Sequence, residues 1–325
     1  MFRLIPVVAA VLAFASSLLA FDPDIALIES IPDGVEPKTA QREWANAIAG
    51  QVYRCQVTYD GDGEIENLHI SNHGVDVPSG VSDKDAYQKA RQGPEDELFM
   101  QAQYLPGLKR LRILKLPLSE TALTTVIEGQ QDLRVLGVEY HEGDDSGSFM
   151  RAIAGMDQLE WLELKHLFQL GGTTVAEIGH LPKLVRLELD NASAQSEALP
   201  LLKANPQVID FELHRSGWTN EQIAEAVSYL PNLRRFAIKP AGRAFDAGCF
   251  AAIAELDDLE VLALWSFRDD AIFWEGGVEH LEGIDTLEHI EVNGGLRNHP
   301  AMQRLKEVRE DLEIDVGKHV IAAFD

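Results

Sequence analysis

The sequence predicts an α/β solenoid, in which short parallel strands line one face and helices line the other. Three observations lead to this prediction. A short apolar pattern, Leu-x-x-Leu-x-Leu with conservative replacements, recurs along most of the 325 residues. Its spacing is uniform and falls in the roughly 20–29-residue period of stacked strand–helix repeats. Between successive copies the apolar residues follow helical spacing, so each unit is a strand followed by a helix.

Eight successive copies of the pattern carry the repeat, and an earlier and a later copy flank them. The first apolar residues of the eight copies are Leu111, Leu133, Leu159, Leu184, Val208, Leu233, Leu259 and Leu287. The earlier copy begins at Ile65, and Leu312 begins a degenerate final one. In the copy that begins at Leu111 the expected inward residues are Leu114 and Leu116, which leaves Lys115 facing outward.

The segment between two strands is predicted to be helical. In TNEQIAEAVSYL the residues Ile223, Val227 and Leu230 lie at helical spacing, and Thr219 with Gln222 fits a capping box. A single unit cannot cover its own apolar face, so neighbouring units must stack. The alternative, a compact doubly wound α/β domain, needs a glycine-rich phosphate turn that this sequence lacks.

The repeats LPKLVRLEL and LPNLRRFAI resemble those of leucine-rich-repeat proteins with helical backs, in the ribonuclease-inhibitor-like class. The opening AGQVYRCQVTYDGDGEIENLHISN is similar to the start of many exported bacterial leucine-rich-repeat proteins. The resemblance covers about residues 50 to 316. It implies a leucine-rich-repeat solenoid, a horseshoe with the parallel sheet on its concave face and the helices on its convex face. It also implies a binding function for a protein or another ligand.

The predicted domain organisation begins with a signal peptide. Residues 1–20 carry Arg3 and then an apolar run that ends in small residues, which is typical of a secretory signal cleaved after Ala15 or Ala20. We expect a helical or irregular segment over 21–50, the leucine-rich-repeat domain over 51–316 and a C-terminal tail over 317–325. The mature protein is then secreted or periplasmic, with no membrane span after cleavage.

Composition and motifs limit the classes of function. The chain has 53 acidic and 28 basic residues, a net charge of −25, which repels nucleic acid and anionic lipid. The acidic stretch Asp60–Glu64 begins like a calcium loop, but Ser71 stands where a bidentate Glu is needed, so a hairpin turn is favoured. Because no motif supplies a nucleophile with its base or a metal ligand set, we predict a non-enzyme without cofactor or metal.

The outward positions of the strands indicate where a ligand binds. Glu163, Glu188 and Glu212 fall at the same position of three successive repeats, which places them on neighbouring strands about 5 Å apart. Such a row is unfavourable unless something offsets it. One interpretation is a ligand with cationic character. The other is internal neutralisation by flanking basic side chains, which are Lys165, Arg186, His214 and Arg235.

Two tryptophans complete the predicted site. Trp161 and Trp265 lie at outward positions, where an indole is costly to leave in water. The loop from Trp265 to Trp274 is rich in aromatic residues, and its sequence fits two interpretations equally well, packing in the core and recognition of a partner. The predicted partner-binding residues are Trp161, Glu163, Glu188, Glu212, His214 and Trp265. The expected partner is a protein or a glycan, and the alternative is a structural spacer of the cell envelope with no defined ligand.

The two cysteines of the chain are predicted to be free thiols. Cys55 precedes the first repeat strand, and Cys249 lies in a helical segment several units later. At about 5 Å per stacked unit this separation far exceeds the roughly 7 Å that a disulfide tolerates between Cα atoms.

Overall fold

The computed structural model describes residues 27–52, 54–72, 94–139, 148–166, 175–190, 198–240, 246–264, 277–292 and 300–316. Within the chain two compact units are found, Met1–Asp144 and Asp145–Asp325. The predicted signal peptide, the tail 317–325 and the loop from Trp265 to Trp274 lie outside the described residues.

The first unit contributes five strands that neighbour one another in chain order. Its elements are β1 (Leu27–Ser30), α1 (Thr39–Ala49), β2 (Arg54–Tyr59), β3 (Ile65–Ser71), α2 (Asp96–Phe99), a 3-10 helix (Met100–Tyr104), β4 (Arg110–Leu114), α3 (Glu120–Gly129) and β5 (Val135–Glu139). The β2–β3 pair is antiparallel, and the other described pairs of this unit are parallel. Strand β1 was not predicted, because it is short and lacks the repeat pattern.

The hairpin between β2 and β3 confirms the predicted turn. Asp60 Oδ1 accepts hydrogen bonds from the backbone N–H groups of Asp62 and Glu64, each 2.9 Å long. Gly63 has a left-handed backbone with φ of 73°. The acidic side chain therefore ties the turn together by bonding its own backbone.

The second unit contributes seven strands, again in chain order. Its elements are α4 (Ser148–Ile153), β6 (Trp161–Lys165), β7 (Arg186–Asp190), α5 (Leu199–Ala204), β8 (Asp210–Ser216), α6 (Asn220–Ser228), β9 (Arg235–Pro240), α7 (Ala247–Ile253), β10 (Val261–Leu264), a 3-10 helix (Val278–Gly283), β11 (His289–Val292), α8 (Pro300–Val308) and β12 (Glu313–Val316). All of its described strand pairs are parallel.

Each repeat buries the apolar residues that define it. Leu159, Leu162 and Leu164 have no exposed surface, and the equivalent Leu184 and Leu187 are buried as completely. A turn recurs before each of the strands β5 to β12, in which the first of these residues donates its N–H to a carbonyl three residues earlier, as Leu159 does to Met156 at 3.1 Å. Stacked repeats, a parallel sheet and helical returns confirm the α/β leucine-rich-repeat solenoid as the fold class.

The helices between strands also form as their sequence predicts. Thr219 and Gln222 make the reciprocal capping box, with hydrogen bonds of 3.3 and 2.9 Å that start α6. Helix α6 packs against both α5 and α7. Among the helices of the described ranges, none combines the length and the apolar character that a membrane crossing requires.

One repeat frame was predicted three residues too late. Strand β4 pairs Leu111 with Leu136 and Ile113 with Val138, so Leu111 holds the second position of its repeat rather than the first. The outward residue between them is Arg112, and Lys115 follows the strand in a left-handed conformation with φ of 57°. The stretch LKRLRILKL has leucines that fit both frames, and the leucine spacing alone cannot choose between them.

Both cysteines are free and buried, which confirms the prediction of no disulfide. Cys55 lies on β2 of the first unit and Cys249 lies on α7 of the second. Burial raises the pKa of each thiol to about 12. Their role is that of small apolar core residues.

We expect Gly63→Ala to lower the free energy of unfolding by about 1–3 kcal/mol, because a left-handed backbone is strained for any residue with a Cβ. A Cβ at this position would also lie 2.2 Å from the carbonyl oxygen of Glu36. The matched control is Gly61→Ala in the same turn, where a Cβ meets nothing within 4 Å. Urea denaturation of both variants checks this, and equal midpoints would contradict it.

Candidate functional site

The acidic row lies where the repeat predicts it, on the outward face of the second unit's sheet. Glu163 is in register with Glu188, and Glu188 with Glu212, on β6, β7 and β8. All three carboxylates are buried, at 3–5% exposure. The row is therefore a set of close like charges removed from water, a state that needs compensating cations.

Lys165 compensates the first half of the acidic row. Its ammonium lies 2.5 Å from Glu163 Oε1 and 2.7 Å from Glu188 Oε1. Burial lowers the pKa of Lys165, but attraction to Glu188 and Glu163 outweighs burial and leaves that pKa raised. This lysine is thus fixed in its charged form between two strands.

Two arginines, Arg186 and Arg235, neutralise the second half of the row, and they also pair with a further buried carboxylate, Asp210. Arg186 Nη2 donates to Glu212 Oε1 at 2.6 Å, and its Nε lies 3.4 Å from Asp210 Oδ2. Arg235 Nη1 donates to Asp210 Oδ1 at 3.0 Å and to the same Glu212 oxygen at 2.6 Å. We call the acidic row with these four partners the charge cluster, whose members beyond the row are Lys165, Arg186, Asp210 and Arg235.

Neutralisation within the charge cluster is uneven. Burial alone would raise the pKa of Glu212, but Arg235 and Arg186 outweigh it and leave that pKa lowered. Burial also raises the pKa of Glu188, to about 7, because repulsion by Glu212 and Glu163 adds to it and Lys165 offsets only part. Glu188 is therefore protonated more readily than Glu212 is.

His214 lies over the row but carries no charge at neutral pH. Its Nε2 is 3.4 Å from Glu212 Oε2, and its Nδ1 is 3.9 Å from Glu188 Oε1. Burial lowers its pKa to about 4, although Glu212 and Asp190 act in the opposite direction. Internal neutralisation, one of the two interpretations of the sequence, thus applies to Lys165, Arg186 and Arg235, while His214 contributes as a neutral ring.

Trp161 borders the charge cluster at the start of β6. The guanidinium carbon of Arg186 lies 4.0 Å from the centroid of its indole ring, a cation–π distance. The indole is half-buried rather than enclosed. Arg186 thereby links the aromatic residue to Glu212, two strands away.

A second group of contacts, at the carboxyl ends of the same strands, was missed from the sequence. Arg215 holds both oxygens of Asp190, with Nε donating to Oδ1 at 2.6 Å, and its Nη2 lies 2.6 Å from His166 Nε2. His166 and Arg215 have left-handed backbones, with φ of 53° and 50°. The repeat pattern says nothing about left-handed residues near the end of a strand, so no signal was available.

Two sets of side chains in the described ranges bring three metal-type donors within 4.8 Å of one another. The first is Glu188, Glu212 and His214, whose carboxylates already hold Lys165, Arg186 and Arg235. The second is the more exposed His289, Glu313 and Asp315. The sequence predicted no metal site, and these sets arise from strand register rather than from a local motif.

The structure brings together five of the six predicted binding residues, namely Trp161, Glu163, Glu188, Glu212 and His214. Trp265 lies outside the described residues, so its place in the site stays a prediction. The middle outward position of β9, Ala237, and the outward positions Val261 and Ala263 of β10 are small and buried. In the described part of this unit, half-buried outward side chains flank the charge cluster on β6 to β9, and they include Trp161, His214 and Lys239.

No protein-family model matches the chain, and no curated protein is significantly similar to it. The solved structures that it resembles include internalin C2 of Listeria monocytogenes strain 4b F2365, with a TM-score of 0.37 and 12% identity over 63% of this chain and 80% of that one. They also include internalin inlF of the same strain, with a TM-score of 0.35 and 11% identity over 66% and 76%. Similarity at this level is too weak to support any inference about the site.

The raised pKa of Glu188 predicts a pH dependence of stability. The folded protein binds this proton more tightly than the unfolded chain does, so its stabilising effect is complete below the ordinary pKa of 4.5 and is lost as pH rises through about 7. Glu188→Gln removes the charge. Relative to wild type, we expect this variant to gain on the order of 2 kcal/mol between pH 5 and pH 8, measured by urea denaturation.

His214 acts in the opposite direction, because its lowered pKa makes stability rise with pH between about 4 and 6.5. Both proteins retain His214, so the effect of its own burial is common to them, and the pH range above 6.5 reports on Glu188. The matched control is Glu260→Gln, in a surface pair with Arg234 at 2.6 Å. A pH-independent difference for Glu188→Gln, equal to that of the control, would contradict the prediction.

Proposed function

We propose that this protein is a non-catalytic binding protein that recognises a protein partner through the outward sheet face of its second unit. The observation that carries the proposal is Trp161, held half-exposed under the Arg186 guanidinium at the border of a fixed charge cluster. Tryptophan and arginine are the residue types most enriched among binding hot spots. The site is centred on Trp161, Glu163, Glu188, Glu212 and His214, with Trp265 as a further predicted contact.

Preorganisation supports a binding role for this face. Arg186 is held by Trp161, Asp210 and Glu212 before any partner arrives. Lys165 is likewise fixed by two carboxylates. Long basic side chains that are already immobilised lose little rotamer entropy on association, which favours affinity.

The buried glutamates have an indirect role in this proposal. Glu163, Glu188 and Glu212 are almost inaccessible, so they hold the basic side chains that a partner meets. We further propose that the protein acts outside the cytoplasm, secreted or periplasmic, as the apolar character of residues 1–20 supports.

The second candidate is a structural spacer, favoured by the internal pairing of the charge cluster. Ion pairs that join β6 to β9 also strengthen the stacking of one repeat on the next. A spacer, however, has no use for an indole kept partly in water. This difference makes Trp161 the residue to test.

We expect Trp161→Ala to weaken capture of a partner at least tenfold, because a central tryptophan typically supplies about 2 kcal/mol or more. The mature protein is immobilised and exposed to the native extracellular or periplasmic fraction, and bound proteins are quantified by mass spectrometry. The matched control is Tyr104→Ala, an aromatic residue of the first unit that is 62% exposed.

A partner lost with Trp161→Ala but retained by Tyr104→Ala supports binding through this face. Binding that is equal for both variants and wild type would contradict the proposed site. No saturable partner for wild type would support the spacer.

A further inference from the structure

The accessible charge on the candidate face has the opposite sign to that of the whole chain. In three of the ion pairs there the cationic side chain is the more exposed member, at 22% for Lys165, 18% for Arg186 and 33% for Arg215, whereas Arg235 is only 3% exposed. Their acidic partners Glu188, Glu212 and Asp190 are only 6–8% exposed. An approaching molecule therefore meets basic groups first, although the chain carries a net charge of −25.

Three basic side chains gather at the carboxyl ends of β6 to β9, and we call them the basic rim. They are His166, Arg215 and Lys239. Arg215 binds Asp190 and contacts His166. Lys239 is in register with His214 on the neighbouring strand. Strand register sets Lys165, Asp190, His214 and Lys239 side by side on β6 to β9, so the rim adjoins the charge cluster at Lys165, and we call the two together the basic surface.

The conformation of the basic rim is strained. His166 and Arg215 both adopt left-handed backbones, which cost residues with a Cβ about 1 kcal/mol or more. Arg215 also disturbs the β8–β9 register, which shifts between His214 and Ser216. This strained backbone accompanies the contacts of Arg215 with the Asp190 carboxylate and with the His166 ring.

The Lys239 side chain interacts with charges of both signs. Burial lowers its pKa, and repulsion from Arg215 lowers it further, while Asp190 opposes both. An incoming carboxylate would relieve this repulsion. The titratable groups that face Lys239 from β7 and β8 are Asp190, Arg215 and the neutral His214.

We propose that this basic surface is the docking site for an acidic, carboxylate-bearing segment of a protein partner. The inference rests on the proposed function and specifies its partner. From β6 to β9 the surface spans three strand spacings, about 14 Å, which matches several carboxylates of an extended segment better than one small anion. The net charge of −25 repels nucleic acid and an acidic segment alike, and salt screens this repulsion beyond about 8 Å, so recognition depends on the local basic groups. A cationic ligand was one interpretation of the acidic row in the sequence, and the burial of that row favours a ligand of the opposite sign.

Fluorescence anisotropy with three labelled probes tests the proposal: deca-glutamate, deca-lysine and a heparin oligosaccharide. We expect deca-glutamate to bind wild type, with an affinity that falls as salt rises. Lys239→Glu should weaken it at least tenfold, and Lys239→Gln about threefold. The matched control is Lys183→Glu, which makes the same charge change at an exposed lysine whose ammonium binds Gln158. It should change binding less than twofold.

Three results would overturn the proposal. These are binding of deca-lysine in preference to deca-glutamate, preferential binding of the heparin oligosaccharide through Lys239, and no deca-glutamate binding at low salt by a folded wild type. None of these results would contradict the capture of a partner through Trp161. The acidic-segment proposal can therefore fail while the proposed binding function remains. Thermal melts of each variant confirm that a loss of binding is not a loss of folding.

Discussion

Register between parallel strands is the constraint on which the rest of this protein depends. In stacked repeats, equivalent positions lie side by side about 5 Å apart. On one face this aligns leucines into columns and produces the core. On the other face the same rule aligns Glu163, Glu188 and Glu212, which repel one another. The fold tolerates that row because cations at the flanking positions, Lys165 and Arg186, reach across the strands to it.

The charge cluster makes the binding face rigid and sets its local charge. Its carboxylates lie beneath its cations, so the basic groups and Trp161 are what solvent contacts. Net charge is a poor guide here, because most of the 53 acidic residues lie elsewhere on the chain. A residue can contact a partner only if it is exposed. On this face the long side chains of Lys165 and Arg186 cover the glutamates, so the cations are the exposed groups.

Sequence periodicity predicted the fold because the leucine spacing indicates both where each strand lies and how successive repeats stack. It misplaced one frame at Leu111, where leucines at two offsets fit the pattern equally. It also identified the outward columns of β6 to β9 and five residues of the candidate site. Periodicity carries no information on burial or protonation, so the neutral state of His214 was missed. The left-handed residues His166 and Arg215 lie outside the pattern and were missed for that reason.

The most direct measurement is a double-mutant cycle between Arg235 and Glu212, which meet at 2.6 Å across β8 and β9. Arg235→Met, Glu212→Gln and the double variant are compared by urea denaturation. If the cluster is held by charges neutralised within it, each single change costs about 3 kcal/mol, and the double change costs at least 1 kcal/mol less than their sum. Additive effects below about 0.5 kcal/mol each would contradict it, and would mean that the face tolerates its acidic row without these ion pairs.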